Sequence, residues 1–145
     1  MKTGRYEESE KVCWYLNDKL HREDGPAIEY SDGNRQWFLN GLQHREDGPA
    51  CEWNDGSRYW FQNGFLHREG GPAIEENGWK EWWLTGNKHR EDGPAVEGPK
   101  FANEWWINGT KLTKEEFKLF LEKKALNEKL HATLSPRPKG AKKKI

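Results

Sequence analysis

Apolar residues are scarce in this chain: only 33% of its 145 residues are hydrophobic and another 33% are charged. An ordinary aliphatic core is excluded, and no apolar run is long enough to cross a bilayer. Nothing reads as a secretory leader, so the cytoplasm is the expected location. The two cysteines, Cys13 and Cys51, stand in no metal-ligand or redox spacing. No phosphate-cradling glycine loop followed by Lys and Ser or Thr occurs, and no Ser/His/Asp or Cys/His set stands out. The expectation is therefore a protein that is not an enzyme, with no catalytic residue, no metal and no cofactor.

What the chain does have is nine tryptophans and a repeated heptapeptide. Each Trp buries ~150 to 250 Å², so a few aromatics can replace many aliphatics. His44-Arg45-Glu46-Asp47-Gly48-Pro49-Ala50 recurs letter for letter at 21–27 and 89–95, and at 67–73 with Gly70 in place of Asp. The copies are spaced 23, 23 and 22 residues apart. A fixed period of that size marks stacked repeats.

Each repeat carries two turn signals. Asn40-Gly41, Asn63-Gly64 and Asn108-Gly109, with the looser Asn17-Asp18 and Thr85-Gly86, supply the positive φ angles of a two-residue hairpin loop. Asp32-Gly33, Asp55-Gly56 and Asn77-Gly78 form the second set. Two turns per period leave strands of about five residues, hence an antiparallel meander with two strands per repeat. Asp-Gly-Pro interrupts the second strand, because Pro donates no ladder hydrogen bond, and repeating the kink curls the sheet into a trough or open barrel. The fold class expected is mainly β: a curled, solenoid-like sheet of hairpin repeats with a C-terminal capping helix.

With Asn40-Gly41 and Asp55-Gly56 both closing tight loops, Leu39 faces Leu42, Phe38 faces Gln43 and Cys51 faces Trp60. Alternation then gathers Trp14, Trp37, Trp60, Trp82 and Trp105 with Ile28, Cys51, Ile74 and Val96 on one face, the expected core. The other face carries the aromatic row Tyr15, Phe38, Phe61, Trp83 and Trp106 and the arginine row Arg22, Arg45, Arg68 and Arg90, beside Glu29, Glu52, Glu75 and Glu97. Those two rows are the expected protein-binding residues, since large aromatics and Arg are the usual interface anchors. On this register Trp60→Ala unfolds the protein and Phe61→Ala spares it.

The chain divides into an N-terminal segment with the first strand (1–13), four hairpin repeats with a terminal hairpin strand (14–112), a helix (113–134) and a basic, disordered tail (135–145). Glu7, Glu8, Glu10 and Lys11 look like protection for an unpaired first strand. Thr113 with Glu116 is a capping box, and the helix is expected from about Lys114 to about His131, closing the end of the stack. Residues 14–109 hold 10 basic and 17 acidic residues, and 110–145 hold 11 and 4. Lys139, Lys142, Lys143 and Lys144 are the candidate nucleic-acid-binding residues of an alternative reading.

Four copies of His-Arg-Glu invite a catalytic or metal reading, but a catalytic site is normally unique and these residues recur with the period. They read instead as a structural ladder across strands. The 23-residue period, Trp37-Phe38-Leu39-Asn40-Gly41, Asp55-Gly56 and Trp60-Phe61-Gln62-Asn63-Gly64 resemble the MORN repeat in its bacterial and viral form. The heptapeptide units followed by Leu112-Thr113-Lys114-Glu115-Glu116-Phe117 are similar to proteins of tailed phages and giant viruses. The resemblance covers about residues 9 to 117. It lacks the Gly-x-Gly spacing of MORN, so lipid binding does not carry over. The resemblance implies a hairpin scaffold for binding, with no catalytic residues to transfer.

The functional expectation is a non-enzymatic scaffold for a partner protein, either a host protein, as for a phage-encoded modulator or inhibitor of a defence protein, or another copy of itself. The alternatives are association with or imitation of nucleic acid, and sequestration of a small nucleotide. No membrane role is expected.

Overall fold

The tight turns fold as their residues demand. Asn40, Asn63, Thr85 and Asn108 have φ of 44–49°, and the glycine after each lies at 79–82°. In the computed structural model, which describes residues 1–134, these turns close hairpins such as Phe38–Leu39 with Leu42–Gln43. Twelve antiparallel strands form one open sheet, and three two-stranded hairpins flank it. Each central repeat therefore contributes four short strands, two to the sheet and two to a hairpin, rather than two longer ones. The heptapeptides are loops joining hairpin to sheet, not parts of strands.

The second set of turns corrects the expected register. Cys51 faces Tyr59, not Trp60, and Glu52 faces Arg58. The cause is local: Asp55 Oδ1 accepts the Ser57 N–H at 2.8 Å, as Asp32 Oδ1 accepts the Asn34 N–H at 3.0 Å. This Asx interaction favours a three-residue loop ending in a left-handed glycine, and Gly33 and Gly56 have φ of 96° and 94°. Asn77-Gly78 lacks that geometry and closes a two-residue loop, with Glu76 facing Trp79. One residue is lost there, and this is why the last heptapeptide follows after 22 residues instead of 23.

A one-residue shift exchanges faces. Ile28, Cys51, Ile74 and Val96 lie on the side of the aromatic row: Gln43, opposite Phe38, donates to Cys51 Sγ at 3.1 Å, and Trp83 Nε1 donates to Glu81, opposite Ile74. The tryptophans 14, 37, 60 and 82 lie on the other side, each under an arginine. The expected core of Trp with Ile, Cys and Val on one face is thus split between two faces. Trp60 and Phe61 are both half-buried, which removes the basis for ranking their alanine variants.

The enclosed residues are small. Ala27, Ala50, Ala73 and Ala95 are wholly buried, with Cys13, Ile28, Cys51 and Val96 nearly so. Each of these alanines accepts a hydrogen bond from a Trp N–H at 2.8 Å. Glutamate alternates with arginine or lysine along the neighbouring row of the sheet: Glu29, Arg35, Glu52, Arg58, Glu75, Lys80, Glu97. Opposite charges directly across strands add ~0.2 to 1 kcal/mol per pair, and no like charges meet.

Both ends differ from the repeats. Gly4–Glu8 pairs with Lys11–Leu16, so the strand expected to be an unpaired edge is covered. Thr3 Oγ1 and the Lys2 carbonyl accept the N–H groups of Asn17 and Asp18. At the other end Thr113 and Glu116 form the reciprocal capping box, at 2.9 and 3.1 Å, and the helix runs Lys114–Leu134. Phe117 buries against the last strands, whereas every residue from 122 to 134 is exposed. Among the described residues no helix is long and apolar enough to cross a membrane.

The alanine positions give a direct test. Ala73→Leu has no space to occupy and should cost ~1 to 3 kcal/mol, the usual range for overpacking. Urea denaturation of this variant beside Ala125→Leu, on the exposed helix, should show the loss only for the first.

Candidate functional site

The heptapeptide builds one clamp per repeat. The arginine guanidinium carbon lies 3.8–3.9 Å from the centre of a Trp ring: Arg22 on Trp14, Arg45 on Trp37, Arg68 on Trp60 and Arg90 on Trp82. Its Nη1 donates to the carbonyl of the motif's proline at 3.0–3.1 Å and to the glutamate seven residues on at 2.7–3.3 Å. Nε donates to the motif's aspartate in three copies. A Cβ at Gly25, Gly48, Gly71 or Gly93 would come within 2.9–3.0 Å of the guanidinium carbon, so glycine is needed beneath it. Desolvated cation–π contacts add up to ~2 kcal/mol each.

Histidine joins one repeat to the next. Nδ1 of His21, His44, His67 and His89 accepts the backbone N–H of Asn40, Asn63, Thr85 and Asn108 at 2.9–3.0 Å. This assigns the ring proton to Nε2, which faces the motif's glutamate at 2.6–3.7 Å. The lone pair a metal would use is occupied, and no group of three metal-ligating side chains converges among the described residues.

The residues singled out for binding therefore separate. Arg22, Arg45, Arg68 and Arg90 have their donors directed into the scaffold and lie against the Trp row, not beside the aromatic row, and this reassigns them from contact to support. Tyr15, Phe38, Phe61, Trp83 and Trp106 are half-buried on the opposite side. Trp83 and Trp106 donate Nε1 to Glu81 and Glu104 at 2.8 Å, with Lys88 Nζ 5.5 and 4.8 Å from the two ring centres. Lys139, Lys142, Lys143 and Lys144 lie outside the described residues.

Two grooves on the Trp and His side were not foreseen. One, of about 580 Å³, lies between the first two heptapeptide loops over Trp37, Leu39 and His44. The other, of about 1050 Å³, lies between the second and third over Trp60, Phe65 and His67. Their rims carry Glu23, Asp24, Glu46, Asp47 and Glu69, whose side chains are 79–88% exposed. The available signal was Arg-x-x-Gly: an arginine folded back over glycine leaves the two carboxylates between them on the outside of the loop. The chain matches no family model, no curated protein and no solved structure.

Burial pushes the Cys51 thiol up to about 12 and also raises that of Cys13. Both thiols should stay unreactive toward Ellman's reagent at pH 8 in the folded protein and react together on unfolding, because only the thiolate attacks. Glu91 is held below the usual glutamate value, chiefly by its hydrogen bond from Lys124 on the helix and then by His89. A lowered carboxylate pKa contributes stability above the unfolded value that is lost as pH falls through the folded one. Amide exchange in the first helical turns, relative to the central repeats, should therefore rise selectively below about pH 4, near the ordinary glutamate pKa.

Proposed function

We propose that this chain is a non-enzymatic scaffold of the MORN-like, phage and giant-virus type, holding a partner protein along its Trp and His side. The observation that carries the reading is the pair of adjacent grooves in which Trp, Leu and Phe lie among polar side chains beneath carboxylate rims. A floor of Trp, Leu and Phe takes up apolar or aliphatic surface, and the rims favour lysine or arginine beside it. An extended basic segment lying across successive repeats meets both requirements, since repeats recur about every 10 Å at two strand spacings each. Action on a host protein from the host cytoplasm, as a modulator or inhibitor, belongs to the same proposal.

Imitation of nucleic acid is a second reading, favoured by the same regularly spaced carboxylates. It differs in its partner, a DNA- or RNA-binding surface, and duplex DNA would then compete for that partner.

Affinity capture from a bacterial lysate, followed by titration of the purified partner, tests the groove. Glu23→Lys/Glu69→Lys alters two rim residues whose only ion-pair contacts among the described residues are with histidine, at 3.6 and 3.7 Å. It should weaken binding at least about tenfold, and wild-type binding should fall with added salt as expected for exposed charges. Unchanged affinity in that variant, with loss in Trp83→Ala, would move the contact to the aromatic row.

A further inference from the structure

We propose that the C-terminal helix is a dimerisation element, in which two copies of this chain pair their helices antiparallel. Its far side carries four uncovered leucines with the exposed Lys123 among them: Leu119, Leu126, Leu130 and Leu134 are 54, 58, 51 and 79% exposed. At about 100° per residue these four fall within about 80° of one another. Phe117, Phe120, Leu121 and Lys124 occupy the side turned to the repeats, where Phe117 is buried and Lys124 binds Glu91. That ion pair fixes the rotation of the helix, so the leucine stripe is presented outward.

Beyond the Lys124–Glu91 ion pair, every residue from 125 to 134 is exposed. A free helical segment of that length is only marginally stable in water, and a stripe of large apolar side chains along it calls for a covering surface. The charges choose the occupant. Residues 114–122 carry three acidic and two basic side chains, and 123–134 carry three Lys and one Glu, with Lys124 already held by Glu91 of its own chain. Antiparallel pairing opposes the acidic half of each helix to the basic half of the other and also opposes their dipoles, whereas parallel pairing stacks like on like.

Register follows from the same residues. Centring the pair near residue 126 brings Leu126 against Leu126 of the second copy and seats each Leu119 between the partner copy's leucines 130 and 134. Glu122 then faces Lys129 across the same flank, twice by symmetry, as a twofold interface requires. The helix is about 31 Å long, so the two repeat arrays stand at opposite ends of the pair, free of each other. This inference does not depend on the groove.

Sedimentation equilibrium of the full chain at micromolar concentration tests it. Wild type should give twice the 17.1 kDa chain mass. Leu126→Glu/Leu130→Glu should be monomeric with an unchanged urea midpoint for the repeats. Glu122→Lys should shift the dimer toward monomer, and Glu122→Lys/Lys129→Glu should restore it. Leu126→Cys should form an intermolecular disulfide under oxidation. A monomeric wild type, a dimer that survives the double leucine change, or a charge pair that fails to restore association would each overturn the proposal.

Discussion

Everything in the repeat array depends on an arginine lying flat between a tryptophan ring and a glycine. Arg45 sits 3.9 Å over Trp37, where a Cβ at Gly48 would reach 2.9 Å from its guanidinium carbon. From that position one nitrogen reaches the Pro49 carbonyl and Glu52, tying the loop to the sheet. The loop's course then places Ala50 where only a methyl fits. A chain short of aliphatic residues thereby obtains a defined interior from one aromatic, one cation and one missing side chain per repeat. The charge is only about a fifth exposed, yet each of its nitrogens that meets the loop has an acceptor, so the desolvation penalty of a buried unpaired ion does not arise.

That arrangement also explains the surface. An arginine turned inward leaves Glu46 and Asp47 on the outer bend of the loop, and the neighbouring loop does the same with Glu23 and Asp24. The space between two such loops is floored by the next tryptophan and by the hairpin that follows it. Grooves with acidic rims are thus a consequence of how the scaffold is held together: one lies between the complete motifs at 21–27 and 44–50, the other between the second motif and its Gly70 variant. Gly70 interrupts this pattern: Arg68 lacks the aspartate contact of its three counterparts, and the wider groove lies there.

Much of this was legible in the residues. The left-handed turns at Asn40-Gly41 and Asn63-Gly64 and the capping box at Thr113 were readable, because each rests on backbone chemistry within four residues. The faces were not. They depend on whether an Asp-Gly turn has two or three residues, and that is decided by a single Asp55 to Ser57 hydrogen bond. Ser or Asn after Asp-Gly, set against the bare Asn77-Gly78 of the 22-residue period, was the clue. The strand Gly4–Glu8 was missed because charged side chains give no alternating pattern, and the Arg-on-Trp stack because no spacing rule links residues eight apart across a hairpin.

The first turn has no preceding histidine to receive its amides. Thr3 and Lys2 supply a hydroxyl and a carbonyl in the places where His21 Nδ1 and the Leu20 carbonyl serve the second turn. The N-terminal segment is therefore a counterfeit repeat, and His89 closes the series by holding Asn108. Because every internal joint has the same plug and socket, whole units of about 23 residues can be duplicated or excised without leaving an orphaned amide. Such a chain evolves in quanta, as a ruler graduated in steps of about 10 Å whose two ends stay the same while its length is free to follow whatever lies alongside it.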